Sequence, residues 1–93
     1  MSVNRDQLNL KKNKLRFAVI ITLKKDVLDP QGKVVGQTLQ SMGINSLKNL
    51  RQGKYIEIDL NESDEKKAHN IIEEMCKKLL VNLIIEEYTI RKI

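Results

Sequence analysis

Cys76 and His69 are the two residues whose types could form a nucleophile and its general base. The apolar spacing around them predicts one helix, in which their seven-residue separation corresponds to two turns, or about 10 Å along the axis. A working pair needs direct hydrogen-bond reach of about 3 Å. The geometry therefore excludes this pair. Cys76 is interpreted as a small core residue, and His69 as a residue at the edge of the apolar stripe.

Other residue patterns that carry chemistry are missing from the sequence. One cysteine and one histidine cannot supply the roughly four clustered ligands of a zinc site. None of the four glycines lies in a phosphate-binding loop. The adjacent pairs Glu73–Glu74 and Glu86–Glu87 point to different faces of their elements, so neither forms an acid–base pair. We therefore predict no catalytic, cofactor-binding or metal-ligating residue on this chain.

The most suggestive polar segment surrounds Gly53, in a predicted hairpin turn. Arg51, Lys54 and Tyr55 flank this glycine, and two cations beside a tyrosine could meet an acidic partner or a phosphate. The same charges are also typical of an ordinary exposed turn. The pattern alone favours the ordinary turn.

The charge distribution argues against a nucleic-acid-binding domain. Of the formal net charge of +5, residues 1–14 contribute +3, and residues 15–93 carry 13 basic against 11 acidic side chains. Nucleic-acid-binding domains usually collect basic residues on a folded face, whereas here the basicity lies largely on a polar terminal segment. The aromatic residues that stack on bases are also scarce, at 3% of the chain.

Length and composition predict one small domain. Ninety-three residues, 41% hydrophobic and 31% charged, are ordinary for a single soluble domain. The single cysteine excludes an intrachain disulfide. No stretch approaches the roughly 20 apolar residues of a membrane span, and the N-terminus lacks the apolar core of a secretory signal. We expect a cytoplasmic protein.

The chain divides into a flexible basic extension, residues 1–14, and a single domain, residues 15–93. A short helix or strand over residues 7–10 is the alternative for the extension. Residues 15–23 alternate between apolar and mixed positions and are rich in β-branched side chains, which predicts a strand. Its second face is only partly polar, so we expect a central strand that is partly covered on both faces.

The next segment predicts a helix. Asp29 is a good N-cap, Pro30 suits the first helical position, and Gly43 ends the helix after Met42. One side of this helix is expected to be buried because its residues are mainly apolar. They are Val34, Val35, Thr38, Leu39 and Met42.

The remaining elements complete a β-α-β-β-α-β order. Residues 47–52 and 55–60 predict two strands joined around Gly53 and Lys54. Ser63 is a possible cap for a helix that continues to residue 80, and residues 84–90 predict the last strand. The helix has the clearest apolar stripe in the chain, comprising Ala68, Ile71, Ile72, Met75, Cys76, Leu79 and Leu80. The predicted fold is α+β and ferredoxin-like, with a four-stranded antiparallel sheet and two helices on one face.

Four segments carry a resemblance to a known family: residues 27–33, 51–57, 73–80 and 82–88. In this order they resemble PurS, the small subunit of phosphoribosylformylglycinamidine synthase in bacterial and archaeal purine biosynthesis. The resemblance covers about residues 15–90. The family pattern has proline where this chain has Leu83, and the replacement removes a conformational restriction but no chemical group.

The resemblance implies a non-catalytic assembly role. The assembled enzyme converts formylglycinamide ribonucleotide, glutamine and ATP into formylglycinamidine ribonucleotide, glutamate, ADP and phosphate. A glutaminase subunit releases ammonia, and a large synthetase subunit binds ATP and magnesium. The small subunit, a homodimer, brings them together and assists ammonia transfer. The matching segments imply partner contacts at Arg51, Lys54, Tyr55, Asn82, Glu86 and Tyr88.

Two other functions remain open on the residues alone. A ferredoxin-like module that binds a small effector is compatible with the predicted architecture, although fold is a poor guide to function. A nucleic-acid-binding protein is compatible with the basic extension, and its affinity would fall steeply with salt.

Overall fold

A three-stranded antiparallel sheet organises the part of the chain that the computed structural model describes, residues 14–93. β1 (Lys14–Leu23) lies in the centre, between β2 (Gly53–Asn61) and β3 (Glu86–Lys92). The predicted central strand is therefore confirmed, and it begins at Lys14. The rest of the predicted N-terminal extension lies outside the described residues.

One face of the sheet packs against α2 (Glu65–Met75). β1 and α2 contribute most of the core because their apolar residues recur at the period of a strand and of a helix, respectively. The core consists of Phe17, Val19, Ile21, Ile58, Ala68, Ile72, Cys76 and Val81. Asp64, rather than the predicted Ser63, caps α2, since its carboxylate accepts hydrogen bonds from the amides of Lys66 and Lys67 at 3.0 and 3.3 Å.

A π-helical turn (Cys76–Leu80) follows α2 directly. The amide of Val81 donates to the carbonyl of Cys76 at 3.0 Å, a wider closure than that of an α-helix. Cys76 is fully buried, which confirms its predicted place in the core. Leu79 is 84% exposed, so its predicted place in the buried stripe is wrong. The wider turn changes the direction of the side chains that follow Cys76.

α1 (Pro30–Ser41) forms where predicted but contributes no residue to the described core. Asp29 caps it, and Gly43 follows it with φ of 101°. Val34 is 60% exposed and Met42 is 72% exposed. The prediction that two helices cover one face of the sheet therefore holds for α2 and is wrong for α1. The side of α1 opposite Val34 and Met42 packs against residues 47–51 instead of the sheet.

Residues 47–52 do not form the predicted fourth strand. Their backbone groups bond to side chains at α1: the side-chain amide of Gln40 donates to the carbonyl of Leu47 at 2.8 Å, and the amide of Gln52 donates to Asp29 at 2.8 Å. Leu50 lies against Gly36. A Cβ atom added at Gly36 would be 3.6 Å from the Cβ atom of Leu50. These contacts satisfy backbone polar groups of residues 47–52 without pairing them to a strand of the sheet.

The predicted hairpin turn at Gly53 and Lys54 is also wrong, since both residues lie inside β2. Gly53 pairs with Thr22, and a Cβ atom at Gly53 would collide with the carbonyl oxygen of Ile21. The glycine thus permits close approach of two strands rather than a turn. No helix within residues 14–93 is long and apolar enough to cross a membrane.

The second face of the sheet, here called the open face, points away from α2. Its residues alternate with the core residues along each strand. It consists of Lys14, Arg16, Ala18, Ile20 and Thr22 on β1, Tyr55, Glu57 and Asp59 on β2, and Glu87, Thr89 and Arg91 on β3. The open-face residues of the two outer strands are all exposed. The outer strands of the open face are therefore available to a partner, whereas Ala18 in its centre is 1% exposed.

Candidate contact surface

The six predicted contact residues gather at one end of the sheet, where β1 ends and β2 and β3 begin. Lys54 pairs in register with Ile21, and Tyr88 pairs with the same residue from the other side. The sequence reasoning placed these residues in two separate segments. The sheet brings the segments together because β1 lies between them.

Arg51 holds the loop that follows β1. One guanidinium nitrogen, Nη2, donates to the carbonyl oxygens of Leu23, Lys24 and Val27 at 3.2, 3.0 and 3.3 Å. A single cation thus donates to three backbone acceptors where β1 ends, one of which, the carbonyl of Lys24, also accepts from the amide of Val27 at 2.9 Å. In the described chain the side chain of Arg51 serves the fold.

Asp29 has a second role that the sequence did not reveal. Besides capping α1 through the amide of Gly32 at 3.0 Å, its carboxylate accepts from the amide of Gln52 at 2.8 Å. The hydrogen bonds from Gln52 and Gly32 lower the pKa of Asp29 below its usual value. Asp29 therefore ties the start of α1 to the segment that enters β2. An Asp before Pro indicates the cap, whereas the Gln52 contact depends on tertiary structure.

Asn82, Glu86 and Lys54 form a connected set at the turn before β3. The side-chain oxygen of Asn82 accepts from the amide of Ile84 at 3.1 Å, and Glu86 accepts from the amide of Asn82 at 2.8 Å. The other carboxylate oxygen of Glu86 lies 3.7 Å from Nζ of Lys54. The turn thus forms with Leu83 in place of the family proline, and β3 begins at Glu86, two residues later than predicted.

Tyr88 connects β3 to α2 on the covered face. Its hydroxyl donates to a carboxylate oxygen of Glu73 at 2.9 Å. This hydrogen bond, together with partial burial and repulsion by the carboxylate, raises the pKa of Tyr88. The neutral phenol is therefore the form that stabilises this contact.

We expect Tyr88→Phe to lower the free energy of unfolding by about 1 kcal/mol at pH 7–9. The folded pKa is raised, so the hydrogen bond contributes fully below the unfolded tyrosine pKa of about 10 and is lost as pH rises through the folded value. The difference between the wild-type chain and Tyr88→Phe should therefore shrink above pH 10. Urea unfolding at several pH values would measure it.

Tyr55→Phe is the matched control for that experiment. The Tyr55 hydroxyl makes no hydrogen bond within residues 14–93, and the side chain is 59% exposed on the open face. Its substitution should leave the stability unchanged. Equal effects of the two substitutions, or a Tyr88 effect that does not depend on pH, would contradict the assigned hydrogen bond.

Five of the six predicted residues thus make contacts within the chain, and Tyr55 alone is directed to the open face without one. Which of the six contact a partner stays a prediction. Within the described part of the chain, no group of three or more His, Cys, Asp or Glu residues is placed to hold a metal ion. A small domain with an open sheet face and polar side chains that secure its loops has the build of an interaction subunit.

Comparison with known proteins agrees with this class. The family model PurS, described as phosphoribosylformylglycinamidine (FGAM) synthase, matches residues 16–93. The chain is 42% identical over 76 residues to the synthase subunit PurS of Methanocaldococcus jannaschii, covering 82% of this chain and 92% of the relative. It is 44% identical over 73 residues to the PurS subunit of Bacillus subtilis, covering 78% and 86%.

A solved structure gives the same result. A chain in the structure of PurLQS from Thermotoga maritima is similar with a TM-score of 0.81 and 31% identity, covering 86% of this chain and 98% of that one. The chain belongs to the PurS family of FGAM synthase subunits. The predicted family is confirmed.

Proposed function

We propose that this chain is the assembly subunit of an FGAM synthase, and that as a homodimer it joins a glutaminase subunit to a large synthetase subunit. The observation that carries the proposal is the likeness to a chain of the Thermotoga PurLQS structure over nearly the whole domain. The open face and the exposed apolar side chains of Val34 in α1 and Met42 directly after it supply surface for more than one partner.

The chemistry in this proposal belongs to the partner subunits. The glutaminase releases ammonia from glutamine, and the synthetase uses ATP and magnesium to join that ammonia to formylglycinamide ribonucleotide. This chain holds the two in contact so that ammonia passes between them without loss. It acts in the cytoplasm and binds neither cofactor nor nucleic acid.

Reconstitution tests the proposal. We expect the glutaminase and synthetase subunits of the same organism to form FGAM from glutamine when this chain is added and to show little such activity without it. Ammonium in place of glutamine is the control, because the synthetase then needs no ammonia transfer and its rate should not depend on this chain. Equal glutamine-dependent rates with and without the chain would refute the assembly role.

A further inference from the structure

The excess positive charge of the described chain lies in one region, around α1. Residues 24–52 hold five basic and two acidic side chains, whereas the rest of residues 14–93 holds nine of each. The sheet and α2 are therefore neutral in sum, and the region around α1 carries the whole net charge. A local excess of this kind attracts anions and raises their concentration near the surface.

A cleft of about 490 Å³ lies in this region. It is here called the α1 cleft, and its three walls are the loop after β1, one side of α1 and residues 47–51. Gly36 lies on the cleft side of α1. Glycine weakens a helix, but at this position the missing side chain leaves the cleft open. The volume is within the range of small-molecule sites.

Four cations line the α1 cleft, and they come from all three of its walls. None of them forms an ion pair within residues 14–93. Two acids share the lining, of which Asp29 already accepts hydrogen bonds from two backbone amides and Asp26 offsets one cation. The cleft therefore keeps an excess of positive charge. The four cations are Lys25 in the loop, Lys33 on α1, and Lys48 and Arg51 in residues 47–51.

Hydrogen bonds hold the three walls of the α1 cleft in place. Arg51 binds the carbonyls of the loop through Nη2. Asp29 joins the start of α1 to the amide of Gln52, and Gln40 joins the last turn of α1 to the carbonyl of Leu47. A site whose walls are fixed before a ligand arrives loses little conformational entropy on binding.

Hydrogen-bond donors remain available at the α1 cleft. Nε and Nη1 of Arg51 make no hydrogen bond within residues 14–93, in contrast to Nη2. The backbone amides of Lys48, Asn49 and Leu50 also make none in this part of the chain. Cationic side chains and backbone N–H groups are the donors through which proteins bind phosphate.

We infer that the α1 cleft binds a polyphosphate chain, either inorganic or as the phosphate part of a nucleoside triphosphate. One chain of phosphates offers oxygens to several cations at once. The residues that line the cleft include no aromatic side chain on which a base could stack. The phosphates therefore carry the affinity, and the nucleoside adds little. The inference adds an effector site to the proposed assembly role and does not rest on it.

Isothermal titration calorimetry of the full chain at low ionic strength tests the assignment. We expect tripolyphosphate and ATP to bind with similar affinity. AMP should bind about tenfold more weakly or worse, because it carries fewer charges, and adenosine should give no measurable heat. The affinity for tripolyphosphate should fall as salt is added, because salt screens exposed charges.

Substitution of the lysines identifies the site. Lys33→Gln and Lys48→Gln should each weaken tripolyphosphate binding by about threefold or more, and the double variant by about tenfold or more. Lys77→Gln is the matched control, because it removes the same charge from an exposed position in the π-helical turn, away from the α1 cleft. It should leave the affinity unchanged.

Gly36→Leu tests the shape of the cleft and keeps every charge. Leucine favours a helix more than glycine does, and its side chain would fill part of the cleft, so this variant should fold and lose tripolyphosphate binding. Gly36→Ala is the control, because its Cβ atom would make an ordinary contact with Leu50 at 3.6 Å and leave most of the cleft open. Far-UV circular dichroism verifies that each variant is folded.

Each outcome decides the inference. Tripolyphosphate binding that the two cleft lysine variants weaken and Lys77→Gln does not would support it. Absence of tripolyphosphate binding, or equal weakening by all three lysine variants, would overturn it. Tighter cleft-dependent binding of an aspartate-rich peptide or of duplex DNA would also overturn it, since the cleft would then serve a protein or a nucleic acid. The glutamine-dependent reconstitution reports separately on the assembly role.

Discussion

Ile72→Ala is expected to destabilise the isolated chain by about 2–5 kcal/mol. Ile72 is fully buried, where α2 meets the apolar residues of β1. Its truncation removes buried methyl groups and leaves a cavity that the neighbouring strand can fill only in part. Because a domain of this size is stable by only about 5–10 kcal/mol, the loss is a large share of the total.

The neighbouring residue provides the matched control. Ile71 has the same side chain and lies one position away on α2, but it is 37% exposed. Ile71→Ala should therefore cost clearly less, about 1 kcal/mol, since more than a third of this residue already meets water. Urea unfolding at one fixed protein concentration would compare the variants, because association adds to the apparent stability. Equal losses at the two positions would contradict the packing of α2 on the sheet.

Arg51→Ala is expected to loosen the loop between β1 and α1 and to lower stability by about 1–2 kcal/mol. Three carbonyls, of Leu23, Lys24 and Val27, lose their shared donor. Because the site is exposed, water replaces part of these hydrogen bonds. The expected loss of stability is therefore at the lower end of the range for hydrogen bonds from a charged group. Hydrogen exchange should become faster in residues 24–29 and stay unchanged in the middle of β1.

Lys54→Ala is the control for Arg51. Lys54 is a cation at the same end of the sheet, but within residues 14–93 its contact is a long ion pair with Glu86 at 3.7 Å, in which the lysine side chain is 66% exposed, and pairs of exposed lysines contribute little. If Arg51→Ala behaved like Lys54→Ala in the isolated chain, the assigned support of the loop would be wrong. A normal isolated chain that fails in the glutamine-dependent reconstitution would identify Arg51 as a partner contact instead.

The sequence predicted the elements whose signals are local. The alternation along residues 15–23 indicates a strand. The capping carboxylate of Asp29 and the backbone preferences of Pro30 and Gly43 mark the ends of α1. The stripe on α2 predicted the buried positions Ala68, Ile72 and Cys76, as the structure has them.

The failures have tertiary causes. Residues 47–52 were predicted as a strand, yet hydrogen bonds from the side chain of Gln40 and to the carboxylate of Asp29 hold them beside α1. The π-helical turn over Cys76–Leu80 was not indicated by the apolar spacing, which predicted one continuous helix to residue 80. The apolar side of α1 was expected to be buried because an apolar stripe normally faces a core. In α1 this side is exposed, so an amphipathic pattern alone does not establish that a helix packs on its own sheet.

The predicted partner contacts stay predictions. The matching segments implied that Arg51, Asn82 and Glu86 contact a partner, and in the structure each makes contacts within the chain that secure a loop. No sequence pattern indicated Asp29 as a tie to Gln52. This contact joins residues that are far apart in the chain, so it becomes known only from the tertiary structure.

The strand order β2-β1-β3 has a kinetic consequence. The earliest strand in the chain is the central one, and its outer pairing joins Phe17 to Lys92 across nearly the whole described sequence. Topologies dominated by such distant contacts fold in about milliseconds to seconds, because chain entropy is lost before the contacts form. During that interval one edge of β1 is open to other chains. Folding of each copy and encounters between newly made copies therefore compete for the same strand edge.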